Sequence, residues 1–313
     1  MRIAGVDEAG YGPLLGPLVV SAAVWDCHAP ATSTPLEYVT RESCPELGPA
    51  GGIDDCKKVY KSGSGLGKLE ALALGVLSTV GEMPRTWREL LKQVQLPYIS
   101  DLDDAPWYRG ENPALPVAAT ARHFESVRRK TLLDLQTAGW EFKGVHTIAL
   151  EPRRLNEWFR RTDNKSLALF EASTRVMEAA WDTAGADIMF SDKQGGRREY
   201  AALLRDFFPA TQVRVLKESA IHSAYALQKN ARSLYAAYVQ EADGLFLPVA
   251  FASIISKYIR ELHMRIFNEY WARPMPALKP TAGYYTDGLR FLKNIQQHPL
   301  RGGIPDAWLV RER

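Results

Sequence analysis

Cysteine is scarce in this 313-residue chain: Cys27, Cys44 and Cys56 make an odd number and show no metal-ligand spacing. That argues against a disulfide framework or a cysteine zinc site and points to a reducing compartment. Long apolar runs are missing too, none reaching the ~20 residues that span a bilayer. The amino terminus carries one arginine and then two acids within its first eight residues, unlike a secretory signal. The expectation is a soluble, cytoplasmic protein with no membrane partner. Charge of one sign is also lacking: 39 Lys and Arg against 36 Asp and Glu leave +3, too little to establish a nucleic-acid partner alone. The six histidines are scattered without i, i+4 pairing, so they offer no ligand framework. Low-complexity tracts and internal repeats are absent, and the 46% hydrophobic content suffices for a large core.

What the chain does have is an adjacent acidic pair, Asp7-Glu8, at the end of the apolar run Ile3-Ala4-Gly5-Val6. Two neighbouring carboxylates at the end of a buried strand are costly to desolvate and need a cation or hydrogen-bond donors. Ala9-Gly10-Tyr11-Gly12-Pro13 follows as a turn, and the run 17–25 reads as a return strand. Strand, acids, close-approach turn and return strand together suggest a metal and phosphate site.

Periodicity predicts helices over 68–80, 164–184, 198–208 and 248–270, and strands over 145–150, 187–191, 213–216 and 233–239. Residues 28–52 read as an irregular loop. Residues 81–141 shift in composition and show one amphipathic segment over 116–137 but no strand-like alternation, as expected of a mainly helical insertion. Antiparallel strands first and strand–helix alternation later predict an α/β fold, a mixed sheet covered by helices.

Asp192 repeats the logic of Asp7, ending an apolar strand before the polar loop Lys193-Gln194-Gly195-Gly196. In open α/β sheets, sites gather at such strand ends. Glu241-Ala242-Asp243 lies just ahead of the 248–270 helix, and Asp243 reads equally as a loop or capping carboxylate. Acids from three such segments meeting at one sheet edge would suit Mg²⁺ or Mn²⁺, which prefer oxygen ligands. The basic doublets (Arg128-Arg129-Lys130, Arg153-Arg154, Arg160-Arg161, Arg197-Arg198) read first as solvated helix faces.

The stretch Gly5-Val6-Asp7-Glu8-Ala9-Gly10-Tyr11-Gly12-Pro13-Leu14-Leu15-Gly16-Pro17 resembles the opening motif of the type 2 ribonucleases H, the ribonuclease HII and HIII family. Asp55-Cys56-Lys57-Lys58 is similar to that family's Asp-Ser-Lys-Lys segment, and residues 248–257 to its Ala-Ser-Ile helix. Gly283-Tyr284-Tyr285-Thr286 is similar to its Gly-Tyr-Gly-Thr segment. The resemblance implies a ribonuclease H-like mixed five-stranded sheet flanked by helices, formed by 1–80 and 142–313, with 81–141 inserted. It implies Asp7, Glu8, Asp192 and Asp243 as catalytic acids holding two Mg²⁺ or Mn²⁺ ions. It implies Gly10, Tyr11, Gly12, Lys57, Lys58, Lys257 and Tyr284 as contacts to an RNA–DNA hybrid or a ribonucleotide-containing duplex. The expected products carry 5′-phosphate and 3′-hydroxyl ends.

Tyr11 stands in place of the family's arginine, Cys56 in place of serine and Glu241 in place of lysine, while the spacing from Asp192 to Asp243 is long. Glu218 is therefore an alternative fourth acid. A nuclease with another nucleic-acid target, or a relative that binds hybrids without cutting, are the alternative functions.

Overall fold

The computed structural model describes residues 1–28, 45–60, 65–95, 97 and 99–312. Cys44 and the side chains of Cys56 and Lys57 lie outside the described set. Strand β1 (Arg2–Ala9) pairs antiparallel with β2 (Leu18–Cys27), which pairs antiparallel with β3 (Trp140–Leu150). On its other side β1 runs parallel to β4 (Ile188–Asp192), and β4 parallel to β7 (Arg232–Val239). Beyond β7 lie β6 (His222–Lys229) and β5 (Gln212–Lys217), both antiparallel.

Among the described residues the order is β3-β2-β1-β4-β7-β6-β5, seven strands rather than the expected five. The surplus is the β5–β6 extension past β7. Its member β6 mixes small, polar and aromatic residues and so lacks a clean alternation, and it turns into β7 at Asn230 with φ 54°.

Helices α1 (Cys56–Val59), α2 (Leu66–Leu77), α3 (Trp87–Gln93) and α4 (Ala121–Thr137) come between β2 and β3. Next, α5 (Pro152–Thr162) and α6 (Lys165–Asp182) precede β4, and α7 (Ala201–Phe207) follows it. The chain closes with α8 (Leu247–Ala272), α9 (Tyr285–Ile295), α10 (Pro299–Gly302) and α11 (Asp306–Leu309). No helix among the described residues is long and apolar enough to cross a membrane.

Both faces of the central strands are buried, which is why β1 and β2 read as nearly unbroken apolar runs. Period-two alternation sends Ile3, Val19, Ala23 and Trp25 into one core with α2, α4 and α8. Ala4, Val6, Val20 and Val24 enter the other, with Phe170, Met177 and Trp181 of α6. Gly5 sets the closest contact: a Cβ there would lie 2.1 Å from the backbone of Pro248 and Val249. The first turn of α8, with Pro248 in it, thus rests directly on β1 beside the acidic pair.

In the 81–141 segment, α4 begins at Ala121 rather than at 116, because the Thr120 hydroxyl accepts the His123 N–H and caps it. Trp87, Leu90, Trp107 and Tyr108 are buried in the same core as α8. Fully buried Glu70 ties this region to α8, accepting from the Val117, Ala118 and Ala119 N–H groups and from Tyr258 Oη at 2.7 Å. Four donors answer the desolvation of that carboxylate.

Candidate active site

Three parallel strands, β1, β4 and β7, end at one edge of the sheet, and each end leads to an acidic position. Val6 pairs with Ser191 in the β1–β4 ladder, so Asp7 and Asp192 follow at the same level on neighbouring strands. Adjacent strands lie ~4.8 Å apart, which sets the two acids side by side. Past the end of β7, residues 240–243 turn toward α8. The backbone N–H of Ala242 donates to Asp192 Oδ1 at 3.1 Å, fixing the turn that carries Asp243. All four acids line one cleft of about 950 Å³.

Asp7 shares strand parity with Ile3 and Gly5, and its carboxylate takes a hydrogen bond from Ser253 of α8. Below it, the Ser256 hydroxyl donates to the Asp7 carbonyl oxygen and bonds Ser21 Oγ at 2.8 Å, which in turn bonds Thr147 Oγ1 at 2.9 Å. A buried chain of hydroxyls thus anchors the end of β1. Burial pushes the Asp7 carboxyl well above its usual range, with Glu8, Asp192 and Asp243 adding repulsion. Glu8 is pushed up to about 7, first by burial and then by Asp192 and Asp243.

The cleft is therefore a concentration of negative charge, and a divalent cation would relieve the repulsion. Its donors fit Mg²⁺ or Mn²⁺, being carboxylate oxygens with no histidine or cysteine in the wall. Among the described residues no three Asp, Glu, His or Cys side chains are placed to hold a metal ion together. Asp7 and Asp192 instead face their hydrogen-bond donors, Ser253 and Ala242.

Of the other expected contacts, Gly10, Lys257 and Tyr284 line the cleft, as does Glu241. Tyr284 is 54% exposed at the cap of α9. Lys257 Nζ pairs with Glu261 at 3.0 Å and lies 4.8 Å over the Tyr60 ring, whose hydroxyl donates to the same Glu261. Lys58 is held by Asp54 at 3.0 Å and stands outside the cleft wall. Tyr11 and Gly12 also lie outside the wall. Burial pushes the Tyr11 phenol up, Glu8 adds to this and Arg197 opposes it. Glu218 is not among the residues lining the cleft; its carboxylate accepts from Tyr225 Oη at 2.5 Å.

Two arginines absent from the sequence expectations hold the turn after β1. Arg311, 3% exposed, donates Nε to the Gly16 carbonyl oxygen at 2.8 Å and also reaches the Gly10 carbonyl oxygen. Arg260, 1% exposed, donates to the Ala282 carbonyl oxygen at 2.9 Å. The Gly283 carbonyl oxygen accepts from the Leu14 and Leu15 N–H groups, joining the turn to the segment that carries Tyr284. Gly10, at φ 85°, is required here: a Cβ would lie 2.4 Å from Arg260 Nε. A charge inside the apolar stretch of α8 was the one sequence mark of Arg260. Arg311 has none.

No family model matches the chain, and no curated protein does. Solved structures resemble it. Ribonuclease HII from Archaeoglobus fulgidus, in complex with PCNA, is 18% identical with a TM-score of 0.49, over 100% of this chain and 95% of that one. Ribonuclease H2 from Pyrococcus horikoshii OT3 is 16% identical with a TM-score of 0.48, over 99% and 92%. Bst-ribonuclease HIII in complex with Mn²⁺ is 17% identical with a TM-score of 0.40, over 99% and 66%. At these identities and scores the functional reading rests on the residues themselves.

Proposed function

We propose that this protein is a divalent-metal-dependent endoribonuclease that cleaves RNA in RNA–DNA hybrids or at ribonucleotides embedded in DNA. The observation that carries the reading is the side-by-side placement of Asp7 and Asp192, with Asp243 held next to them through Ala242. Asp7, Glu8, Asp192 and Asp243 would hold the two Mg²⁺ or Mn²⁺ ions. Ions held there would supply activation of a water and charge stabilisation at the leaving 3′-oxygen, with 5′-phosphate and 3′-hydroxyl ends as products.

The chain's own residues do the rest. The Gly10–Gly12 turn, held by Arg311 at the Gly10 carbonyl oxygen and packed against Arg260, presents its backbone to the sugar-phosphate chain without rearranging. Tyr284, exposed on the cleft wall, offers a ring face to the ribose or base. Lys257, on the cleft wall, contacts phosphate by sharing its ammonium with Glu261. Segments 1–80 and 142–313 form the catalytic unit, buttressed by 81–141, and the protein acts in the cytoplasm.

The test is incubation of purified protein with Mg²⁺ or Mn²⁺ and a duplex containing one ribonucleotide. Cleavage at that nucleotide, absent in an all-DNA duplex, is expected. Folded protein that leaves both duplexes and a full hybrid intact under both metals overturns the reading.

A further inference from the structure

The cleft wall carries Lys257, Arg265 and Lys279, and the three are not equal. Lys257 pairs with Glu261 at 3.0 Å and Arg265 with Glu269 at 2.8 Å. Lys279 is exposed and, among the described residues, its ammonium makes no ion pair. The nearby acid Asp287 is already answered, by Arg290 at 2.7 Å and by the Thr281 hydroxyl at 2.6 Å. The backbone carrying Lys279 is pinned from two helices. From α9, Arg290 donates to the Lys279 and Pro280 carbonyl oxygens at 3.2 and 2.9 Å. From α8, Asn268 bonds both the N–H and the carbonyl oxygen of Thr281 at 2.9 Å. The loop is thus ordered by groups other than the ammonium, which stays available for an anion.

A second hollow, of about 330 Å³, shares Asp192 and Glu241 with the cleft and is lined by Lys193 and Arg198. The structure splits the doublet Arg197-Arg198. Arg197 turns onto the Phe170 and Tyr200 rings, 5.7 Å from each centre, and donates to Ser166 Oγ at 2.7 Å. Arg198 stays exposed and, among the described residues, its guanidinium makes no ion pair. Its backbone is pinned as well: the Arg198 carbonyl oxygen accepts from Ser223 Oγ at 2.5 Å. Lys193 Nζ braces the same loop, donating to the Arg197 and Ser219 carbonyl oxygens at 3.1 and 2.8 Å. Sheet order sets the two exposed cations on opposite sides of the acids. Gly283, close to Lys279 in the chain, is bonded to Leu14 and Leu15 after β1, whereas the Arg198 loop is bonded to β6, beyond β4 and β7. On the Lys279 side the cleft follows α8 from Ser253 to Asn268, about 22 Å of helix and room for several phosphates.

We propose that Lys279 and Arg198 each contact a backbone phosphate of the bound nucleic acid, on opposite flanks of the position held at the four acids. A cluster of carboxylates repels a polyanion, and a cation on either side offsets that repulsion. The substrate path therefore runs along α8, over the acids and into the hollow beyond Asp192. This rests on the proposed nuclease reading and deepens it by naming the contacts that set the path.

The experiment uses an end-labelled duplex with one ribonucleotide. Binding is followed by fluorescence anisotropy across a salt series without divalent metal, and kcat and KM are then measured with Mg²⁺. Each phosphate contact contributes about 0.9 to the slope of log K against log salt. Lys279→Gln and Arg198→Gln are each expected to flatten that slope by about 0.9, and the double variant by about 1.8. Each single variant is expected to raise KM several-fold with little change in kcat. Duplexes are then shortened on one flank of the ribonucleotide or the other. The KM effect of Lys279→Gln is expected to vanish on shortening one flank, and that of Arg198→Gln on shortening the opposite one.

Wild-type cleavage with an unchanged slope in either single variant, or with both KM effects tied to the same flank, overturns the path and leaves the nuclease reading in place. Slopes that flatten in both variants while wild type fails to cleave support the two contacts and overturn the nuclease reading. No binding of the duplex by wild type overturns both.

Discussion

The backbone N–H of Ala242 donates to the carboxylate of Asp192 at 3.1 Å, so the end of β4 grips the turn that carries Asp243. Asparagine at 192 keeps an acceptor oxygen and alanine does not. Asp192→Asn should therefore fold as stably as wild type. Asp192→Ala should lose a further ~1–3 kcal/mol by leaving the buried Ala242 N–H unpaired. Both should lose cleavage by about a hundredfold or more, since either removes a ligand charge. Urea melts beside single-turnover assays separate the two effects.

Asp7 and Glu8 both bind protons more tightly than ordinary carboxylates, because they are buried and repelled by their acidic neighbours. In metal-free buffer at neutral pH, Asp7→Asn should raise stability by about 1 kcal/mol, since a buried carboxyl is replaced by a neutral amide. Mn²⁺ should raise the melting temperature of wild type and leave that of the variant nearly unchanged. Differential scanning fluorimetry with and without metal reads both outcomes.

Gly10 and Gly12 flank Tyr11 but meet different surroundings. A Cβ at Gly10 would strike Arg260 Nε at 2.4 Å from a backbone at φ 85°, whereas a Cβ at Gly12 meets nothing within 4 Å. Gly10→Ala should cost about 1–3 kcal/mol of stability. Gly12→Ala should stay within about 0.5 kcal/mol. Equilibrium unfolding of the two variants checks the contrast.

His263 is fully buried, its Nδ1 bonded to the Ile259 carbonyl oxygen at 2.8 Å and its ring against Trp87 and Tyr108. Burial lowers its pKa to about 4 from 6.5. The unfolded chain therefore takes up a proton first, and stability falls as pH drops from about 6.5 to 4. The shift of 2.5 (from 6.5 to 4) bounds the loss at about 3 kcal/mol. Glu151, pushed up to about 7 by burial, works in the opposite direction, losing stability as pH rises from 4.5 to 7. His263→Leu should flatten the acid limb alone, as read by urea melts at pH 7.5, 6 and 5.

The acidic edge was legible because acids ending apolar runs are physically anomalous: Asp7-Glu8 and Asp192 announce themselves without any fold. Asp243 gave a weaker signal, since an acid before a helix also serves as a cap, and only the strand order brings it to the same edge. Strand β6 escaped because its small and polar residues follow no clean period, with Ser223 serving Lys193 and Arg198 rather than solvent. Helix α5 escaped although Leu155, Trp158 and Phe159 keep helical spacing, since arginines and Glu157 dominate its text. The clamping role of Arg311 was illegible in principle: its partners Gly10 and Gly16 are far off in sequence and are used only through their carbonyl oxygens. The 81–141 segment read as a mainly helical insertion because its composition shifts and it shows no strand-like alternation. In the structure Trp107 packs against Phe267 of α8.

Crystals of the protein soaked in Mn²⁺ and recorded at the manganese edge test the central claim most directly. The account predicts anomalous peaks in the cleft, with oxygens of Asp7, Glu8, Asp192 and Asp243 at about 2.0–2.3 Å. An ordered cleft without a peak at saturating Mn²⁺, or a peak held by Glu218 away from Asp7, would contradict it.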